Sequence, residues 1–316
     1  STIVGGSAVF VDYFDFSAKA STTINHIFVG IILLVLLIFC GIREWMNSRK
    51  QVYANITSYY HYCLHEIRNL NTYINQKIEN TYLNEDGTRY ANFDMEDFQK
   101  IVHDHLKRIL TYFANIFFVL TGTKCRACIK SIHENNERLY VFTQARDDMS
   151  SKLCHQNDKD REQNNKDPLD RNTDFHSLYF KFDPSYRCFF ANDLTSTTHY
   201  DSTSFDTYGH PSTTQNSYID NVPILNKFKN VAWPLPYKSA IVWPIQQKNE
   251  PNLSLKNPVC VGFLAIDSES RNVFNKNWDF ELGAGLADSL YHALQNFSYI
   301  LRNTKTKEDG NETESR

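Results

Sequence analysis

From Ile24 to Ile42 the chain reads INHIFVGIILLVLLIFCGI, an apolar run without a fixed charge. A helix rises about 1.5 Å per residue, so roughly 20 such residues cross a hydrocarbon core of about 30 Å. No polar stripe interrupts the run between Ile27 and Cys40, as the helix of a soluble core would require. The pattern predicts a transmembrane helix over residues 24–42. The preceding residues 1–23 hold an aromatic stretch, Val9 to Phe16, that is too short and too polar to cross. After the run, Trp45, Val52, Tyr53, Ile56, Tyr60, Leu64, Ile67, Tyr73, Ile74 and Ile78 recur mostly in steps of three or four, which predicts a helical stalk within residues 43–92. Asn84-Glu85-Asp86-Gly87 supplies the turn chemistry that ends it.

The periodicity then changes several times. Asp94 is a good N-cap for a helix whose face carries Phe98, Ile101, Val102, Ile109, Leu110, Phe113, Ile116, Phe117 and Leu120, with Gly122 as its C-cap. Its apolar half, Ile109 to Leu120, is too short to cross a bilayer. Lys124 to His133 and Arg138 to Ala145 flank a polar Glu134–Glu137 turn and predict a hairpin. Asp147 to Asn172 is almost wholly polar, an insertion or lid. Hydrophobicity returns from Tyr179 to Leu194, followed by a Ser/Thr/Tyr/His/Asp-rich run to Asn221 without a period. Lys238 to Gln246 and Val259 to Ser268 are the two best strands, joined by a polar connection. A closing helix from Trp278 to Arg302 presents Leu282, Leu286, Leu290, Leu294, Phe297 and Leu301 on one face. Residues 303–316 read as a disordered tail. The fold class is α+β, with an antiparallel sheet flanked by helices.

Charge sets the topology. Arg43, Arg49 and Lys50 follow the apolar run, whereas Lys19 alone precedes it beside Asp12 and Asp15. Basic flanks stay inside. This predicts a single-pass inner or plasma membrane protein with its N-terminus outside and residues 43–316 in the cytoplasm. Seven cysteines without a framework spacing suit reduced thiols. A net charge of -3 argues against nucleic acid as a partner.

The succession of helix, hairpin, irregular polar region, two strong strands and closing helix resembles the GAF domain, a relative of the PAS fold, over residues 93–302. The residues that carry it most closely are Tyr237 to Ile245, which look like the family's penultimate strand ending in Pro-Ile, and Val261 to Ser268, which look like its final strand. Phe274 and Asp279 match the usual exit, and Asn192-Asp193-Leu194 is similar to the turn after the middle helix. The resemblance implies a membrane-anchored GAF-domain protein, expected to be bacterial, whose ligand lies between the sheet and the segment carrying the middle helix. The pocket wall so implied runs from Tyr186 to Tyr218, with Tyr186, Phe189, Phe190, Asp193, His199, Tyr200, Tyr208 and Tyr218 as its candidate contacts and Trp243 from the sheet. Asn275-Lys276 with Phe280 and Glu281 echoes the family's nucleotide-binding signature only at the wrong spacing. Gly262 within a strand points to close backbone approach or a bulge. Asp267 and Ser268 read as turn caps ahead of ligand contacts.

No catalytic constellation is evident, and neither a cofactor nor a metal is implied. Cys125 and Cys128 are three apart in a strand and fall on opposite faces, so they do not readily share an ion. His61 and His65 share a helix face but lack the acidic residue of the zinc-protease motif. The main expectation is a sensor or regulatory domain that binds an unknown small molecule or a partner protein and signals through self-association, as a homodimer paired along the stalk, or through a separate output protein. An output enzyme is not expected in the chain. A membrane-acting effector, for example in bacterial defence, is the alternative. A free methionine sulfoxide reductase is a weaker one, since Cys188 alone could match that branch's thiols and a resolving thiol is needed.

Overall fold

The computed structural model describes residues 4–83, 89–91, 93–153, 167–180, 188–197, 199–213, 231–247 and 259–305, with the backbone alone over 4–25. The expected turn at Asn84–Gly87, the connection at 248–258 and the tail from 306 onward lie outside them. The chain divides into two compact units, Ser1–Asn55 and Ile56–Arg316.

Helix α1 runs from Val4 to Glu79. It therefore starts well before Ile24, and the aromatic stretch expected to stand apart from the span is helical. In the first unit every large apolar side chain from Ile27 to Phe39 is 43–70% exposed. The helix is long and apolar enough to cross a membrane.

The second unit begins within the same helix and alters the reading of the stalk. Cys63, Ile67, Leu70 and Ile74 are buried in one core with residues of the two later long helices. The spacing of four, three and four that resembles a pairing seam thus finds its partner within the chain. Leu64, on another face, remains 40% exposed. Two short strands follow, β1 (Thr81–Leu83) and β2 (Arg89–Ala91), antiparallel to each other.

Helix α2 (Met95–Thr121) has the caps its sequence implies. The Asp94 carboxylate accepts from the N–H groups of Glu96 and Asp97, and Gly122 closes the helix at φ 68° with its N–H on the Phe118 carbonyl. Ile109, Leu110, Phe113, Ile116 and Phe117 are fully buried, so the strongly apolar half of α2 is a core helix. Strands β3 (Cys125–Asn135) and β4 (Arg138–Arg146) form the expected hairpin. Its turn is Asn136-Glu137, both with positive φ, which matches the twist of the flanking strands.

Within the polar stretch after β4 lie helix α3 (Asp148–Leu153) and a 3-10 turn at Leu169–Arg171, and helix α4 (Thr173–Phe180) follows it. Then follow strand β5 (Phe189–Ala191), a 3-10 turn at Leu194–Ser196, helix α5 (Phe205–Tyr208), the pair β6 (Ser212–Thr213) and β7 (Val231–Ala232), and the two strong strands β8 (Ser239–Gln246) and β9 (Cys260–Ser268). Helix α6 (Asp279–Asn303) closes the domain, and β10 (Thr304–Lys305) lies parallel to β2. The main sheet is five-stranded in the order β4-β3-β9-β8-β5, with every neighbouring pair antiparallel. This is the α+β arrangement of helix, hairpin, irregular segment, paired strands and closing helix on which the GAF-like resemblance rests.

The pleat sends alternate residues to opposite faces. Ala127, Ile129, Ile241, Trp243, Ile245, Leu264 and Ile266 join α1, α2 and α6 in the principal core. Trp243 is fully buried there, against Phe113 and Phe117, and its Nε1 donates to the Phe280 carbonyl at 2.9 Å. Pro244 is tolerated beside it because β5 pairs only as far as Val242, leaving the rest of β8 as an edge. Two glycines set the closest approaches. A Cβ on Gly262 would stand 2.3 Å from the Lys130 carbonyl oxygen, and one on Gly283 of α6 would stand 2.2 Å from the Trp243 ring.

Gly283→Ala should therefore destabilise the domain by at least about 2 kcal/mol, because neither ring nor helix can yield without losing packing. Gly122→Ala, in open space, should lose only the left-handed backbone preference, about 1–2 kcal/mol. Urea unfolding of the full chain in detergent, followed by tryptophan fluorescence, measures both. A Gly283→Ala variant as stable as wild type would show that the Trp243 contact is not tight.

Candidate functional site

The face of the sheet turned away from the principal core bears a cavity of about 140 Å³. Its floor is built by alternation. Arg126, Cys128 and Lys130 come from β3, Ala240 and Val242 from β8, and Ala265 and Asp267 from β9. Its roof is the irregular segment: Asn172, Asp174 and Phe175 around the start of α4, Ser202 to Ser204 before α5, and Tyr208 at the end of α5. Tyr237, Arg146, Ser150 and Asp167 complete the wall.

Hydrogen bonds hold the roof in shape. Asn172, only 3% exposed, donates from Nδ2 to the Pro168 carbonyl at 2.9 Å, and its Oδ1 accepts from the N–H and hydroxyl of Thr203, both at 3.2 Å. The Thr173 N–H donates to the Asp201 carbonyl at 3.0 Å, and the Asp201 N–H donates to the Thr173 hydroxyl at 2.8 Å. Arg171 forks onto both Asp206 oxygens at 3.0 Å. Tyr200, Phe205, Leu194 and Leu235 form a small apolar cluster beside the cavity.

The charges of the wall differ in how well they are matched. Arg126 and Asp267 are directly opposite on β3 and β9, and their side chains meet at 2.7–2.8 Å. Arg126 also donates to the Pro236 carbonyl at 2.7 Å. Burial pushes the Asp267 carboxyl up, and Arg126 opposes that rise. Asp174 is 8% exposed and accepts from the Phe175 N–H at 3.0 Å. Burial drives it up to about 6, against the lowering effects of the backbone N–H groups and of nearby Lys130. Burial also raises Tyr200 and Tyr237, and the Asp174 charge adds to both. A buried, strongly shifted carboxyl in a concave site is the arrangement expected where a ligand is handled.

Of the residues expected in the pocket, Tyr208 lines the cavity. Phe189, Tyr200 and Tyr208 pack in the cluster beside it. Phe190 and Trp243 belong to the principal core. Trp243 is therefore a packing residue on the opposite face of the sheet. Asp193 caps the turn at Leu194, accepting from the Thr195 N–H at 3.1 Å and hydroxyl at 2.6 Å. His199 is exposed at φ 77°. Tyr186 and Tyr218, like Cys154 and His155, lie outside the described residues. Asp267, read as a turn cap, faces the cavity, while Ser268 has the capping part and accepts from the Ser270 N–H at 3.3 Å. Ser202 to Ser204 line the cavity from within the expected 186–218 span, whereas Arg126, Lys130, Arg146, Asp174 and Tyr237 were missed and had one faint signal: a strand that alternates Arg, Cys and Lys with apolar residues.

The thiols are dispersed. Cys125 sits in the principal core and Cys128 on the cavity wall, so the two take opposite faces. Cys188 packs against the principal core, and burial pushes its thiol up to about 11. His61 and His65 stack edge to face at 4.3 Å, with Arg68 Nη2 2.5 Å from His65 Nδ1. Among the described residues no group of three or more His, Cys, Asp or Glu could hold a metal ion.

The raised Asp174 has a consequence for stability. Its folded-state value lies above its unfolded one, so the folded chain binds the extra proton between them and the buried charge is a cost above about pH 6. That cost disappears as pH falls towards 4. Asp174→Asn should stabilise the chain at pH 7.5 by up to about 3 kcal/mol, from a rise of 3.8 to about 6, and by little at pH 4. Thermal unfolding of wild type and variant at the two pH values checks it. A variant destabilised at pH 7.5 would mean that the carboxylate is well compensated.

No protein-family model matches the chain, and no curated protein does. Solved structures with some likeness include a type II free methionine-R-sulfoxide reductase from Thermoplasma acidophilum, 12% identical, with a TM-score of 0.35, covering 63% of this chain and 96% of that one. A GAF domain from an Acinetobacter phosphoenolpyruvate-protein phosphotransferase is 9% identical, with a TM-score of 0.35, and covers 75% of this chain and 95% of its own. A far-red cyanobacteriochrome photoreceptor is 12% identical, with a TM-score of 0.26, and covers 64% of this chain and 93% of its own.

Proposed function

We propose that the chain is a membrane-anchored sensor whose GAF-like domain binds a small molecule between its sheet and its irregular segment. The observation that carries this reading is the cavity itself, concave, lined by convergent polar groups and holding a shifted carboxyl. Two of the cavity's sides differ in kind. The floor is fixed by a five-stranded sheet, whereas the roof is made of short elements joined by side-chain hydrogen bonds, the design expected of a binding segment on a rigid scaffold.

The anchor is the run within α1. A continuous exposed band from Ile27 to Phe39 is far more apolar than a water-facing helix keeps, and lipid is the partner that suits it. Arg43, Arg49 and Lys50 after the run support a cytoplasmic side for the domain in this reading. The reading assigns no catalysis to the cavity, where Cys128 is the single thiol among the described residues.

Two measurements test this. Small molecules released by denaturing the purified full chain from lipid nanodiscs should include one, identified by mass spectrometry, that is missing from an Ala240→Phe variant, because Ala240 lines the floor. Unfolding curves of the variant confirm that it still folds. Identical release profiles from two folded proteins would sink the sensor reading. Separately, protease added outside intact cells should spare everything from Arg43 onward, and cleavage at Phe189 or beyond without lysis would reverse the orientation.

A further inference from the structure

Asp174 can be compared, by what it accepts, with three other largely buried carboxylates, and Asp167, 2% exposed, shares its wall of the cavity. Asp147 receives the Ala127, Met149 and Ser150 N–H groups and the Ser150 hydroxyl. Asp267 is held by Arg126, and Asp279 accepts the Asn275 N–H at 2.7 Å as it opens α6, away from the cavity. Asp174 differs from Asp147 and Asp279 in lining the cavity, and from Asp267 in having no arginine against it. Its side chain accepts from the N–H of the next residue at 3.0 Å and faces the Tyr200 hydroxyl, and it has no ion-pair partner among the described residues, although a carboxylate has room for about four donors. Lys130 acts on it electrostatically without closing a pair. Beside it stands the Tyr200 hydroxyl, on a residue nine-tenths buried, whose ionisation burial and the Asp174 charge both oppose.

Leaving such acceptors unmade is costly, and each such group in a folded protein calls for an explanation. We propose that the ligand of this cavity is a compact molecule presenting a hydrogen-bond-donating nitrogen, a primary ammonium group, to Asp174. The proposal rests on the sensor reading of the same cavity. An ammonium brings three donors and a charge, and so satisfies the carboxylate's open positions and offsets its buried charge together. The floor below is partly apolar, with Ala240, Val242 and Ala265 suited to a short alkyl portion. Size limits the rest. A cavity near 140 Å³ is close to those that enclose a single benzene ring, so the ligand has at most about ten non-hydrogen atoms. The formal charges of the wall, Arg126, Lys130 and Arg146 against Asp167, Asp174 and Asp267, cancel, so the cavity as a whole does not select an anion.

The probes are n-propylammonium, propionate and 1-propanol, three molecules of similar size that differ in the group offered to Asp174. Ligand-observed NMR with the full chain in nanodiscs reads their binding to wild type, Asp174→Asn and Ala240→Phe. The expected result is binding of n-propylammonium to wild type, at least tenfold tighter than propionate, with a loss of at least tenfold in Asp174→Asn and no binding to Ala240→Phe. Since Asp174→Asn is expected to fold at least as well as wild type at neutral pH, lost binding is not lost structure. Propionate preferred over the amine, equal amine binding by Asp174→Asn, or no probe binding at all would overturn the proposal. The sensor reading is judged apart from it. A molecule released from wild type alone that lacks a basic nitrogen overturns the ammonium class and leaves the sensor standing.

Discussion

The register between β3, β9 and β8 is the constraint from which both faces of this domain follow. Because side chains alternate along a strand, a slip of one residue would carry Trp243 out of the helical core and into the cavity, and Arg126 from the cavity into the core. Two features pin that register. Gly262 lets the β9 backbone lie against the Lys130 carbonyl where any side chain would collide, and Arg126 meets Asp267 only when they stand opposite. A largely buried ion pair adds little net stability, but breaking it strands a charge, so it penalises other registers more than it stabilises this one.

Which parts of this arrangement were legible in the sequence depended on how local their causes are. Helix α2 was readable at both ends because Asp94 and Gly122 act through bonds to their immediate neighbours. Strands β8 and β9 were readable because unbroken apolar runs bounded by polar segments admit few other forms. The same unbroken runs hide which face is which: Val242 and Trp243 look alike in sequence, and only the pairing sends one to the cavity and the other to the core. Hence Trp243 was expected at the ligand and Asp267 at a turn. The cavity was legible only on one side. The part of its roof from Ser202 to Tyr208 lies in the loop expected to cover it, whereas the charged floor residues on β3 alternate with apolar ones as on any half-exposed strand, and Asn172 ends a stretch too polar to suggest buried structure.

The second half of α1 illustrates a different limit. A seam at Cys63, Ile67, Leu70 and Ile74 specifies a helix with one face to bury, but spacing does not say whether the partner is another chain or the same one. Here α2 and α6 take that face. The apolar run of the first unit has no such partner among the described residues, with its side chains exposed throughout. Two stretches of one helix, the first apolar all round and the second on one face, thus have opposite environments.

The cavity's shape depends unequally on the bonds of its roof. The Arg171–Asp206 pair has ideal forked geometry, yet both side chains are 40% exposed, and such pairs contribute about 1 kcal/mol at most. Asn172 is nearly inaccessible, and its amide joins the Pro168 carbonyl to the backbone and hydroxyl of Thr203, bonds that water cannot replace once lost. Asp174 follows it by two residues. The position of the Asp174 carboxylate in the wall therefore depends on the bonds of the Asn172 amide.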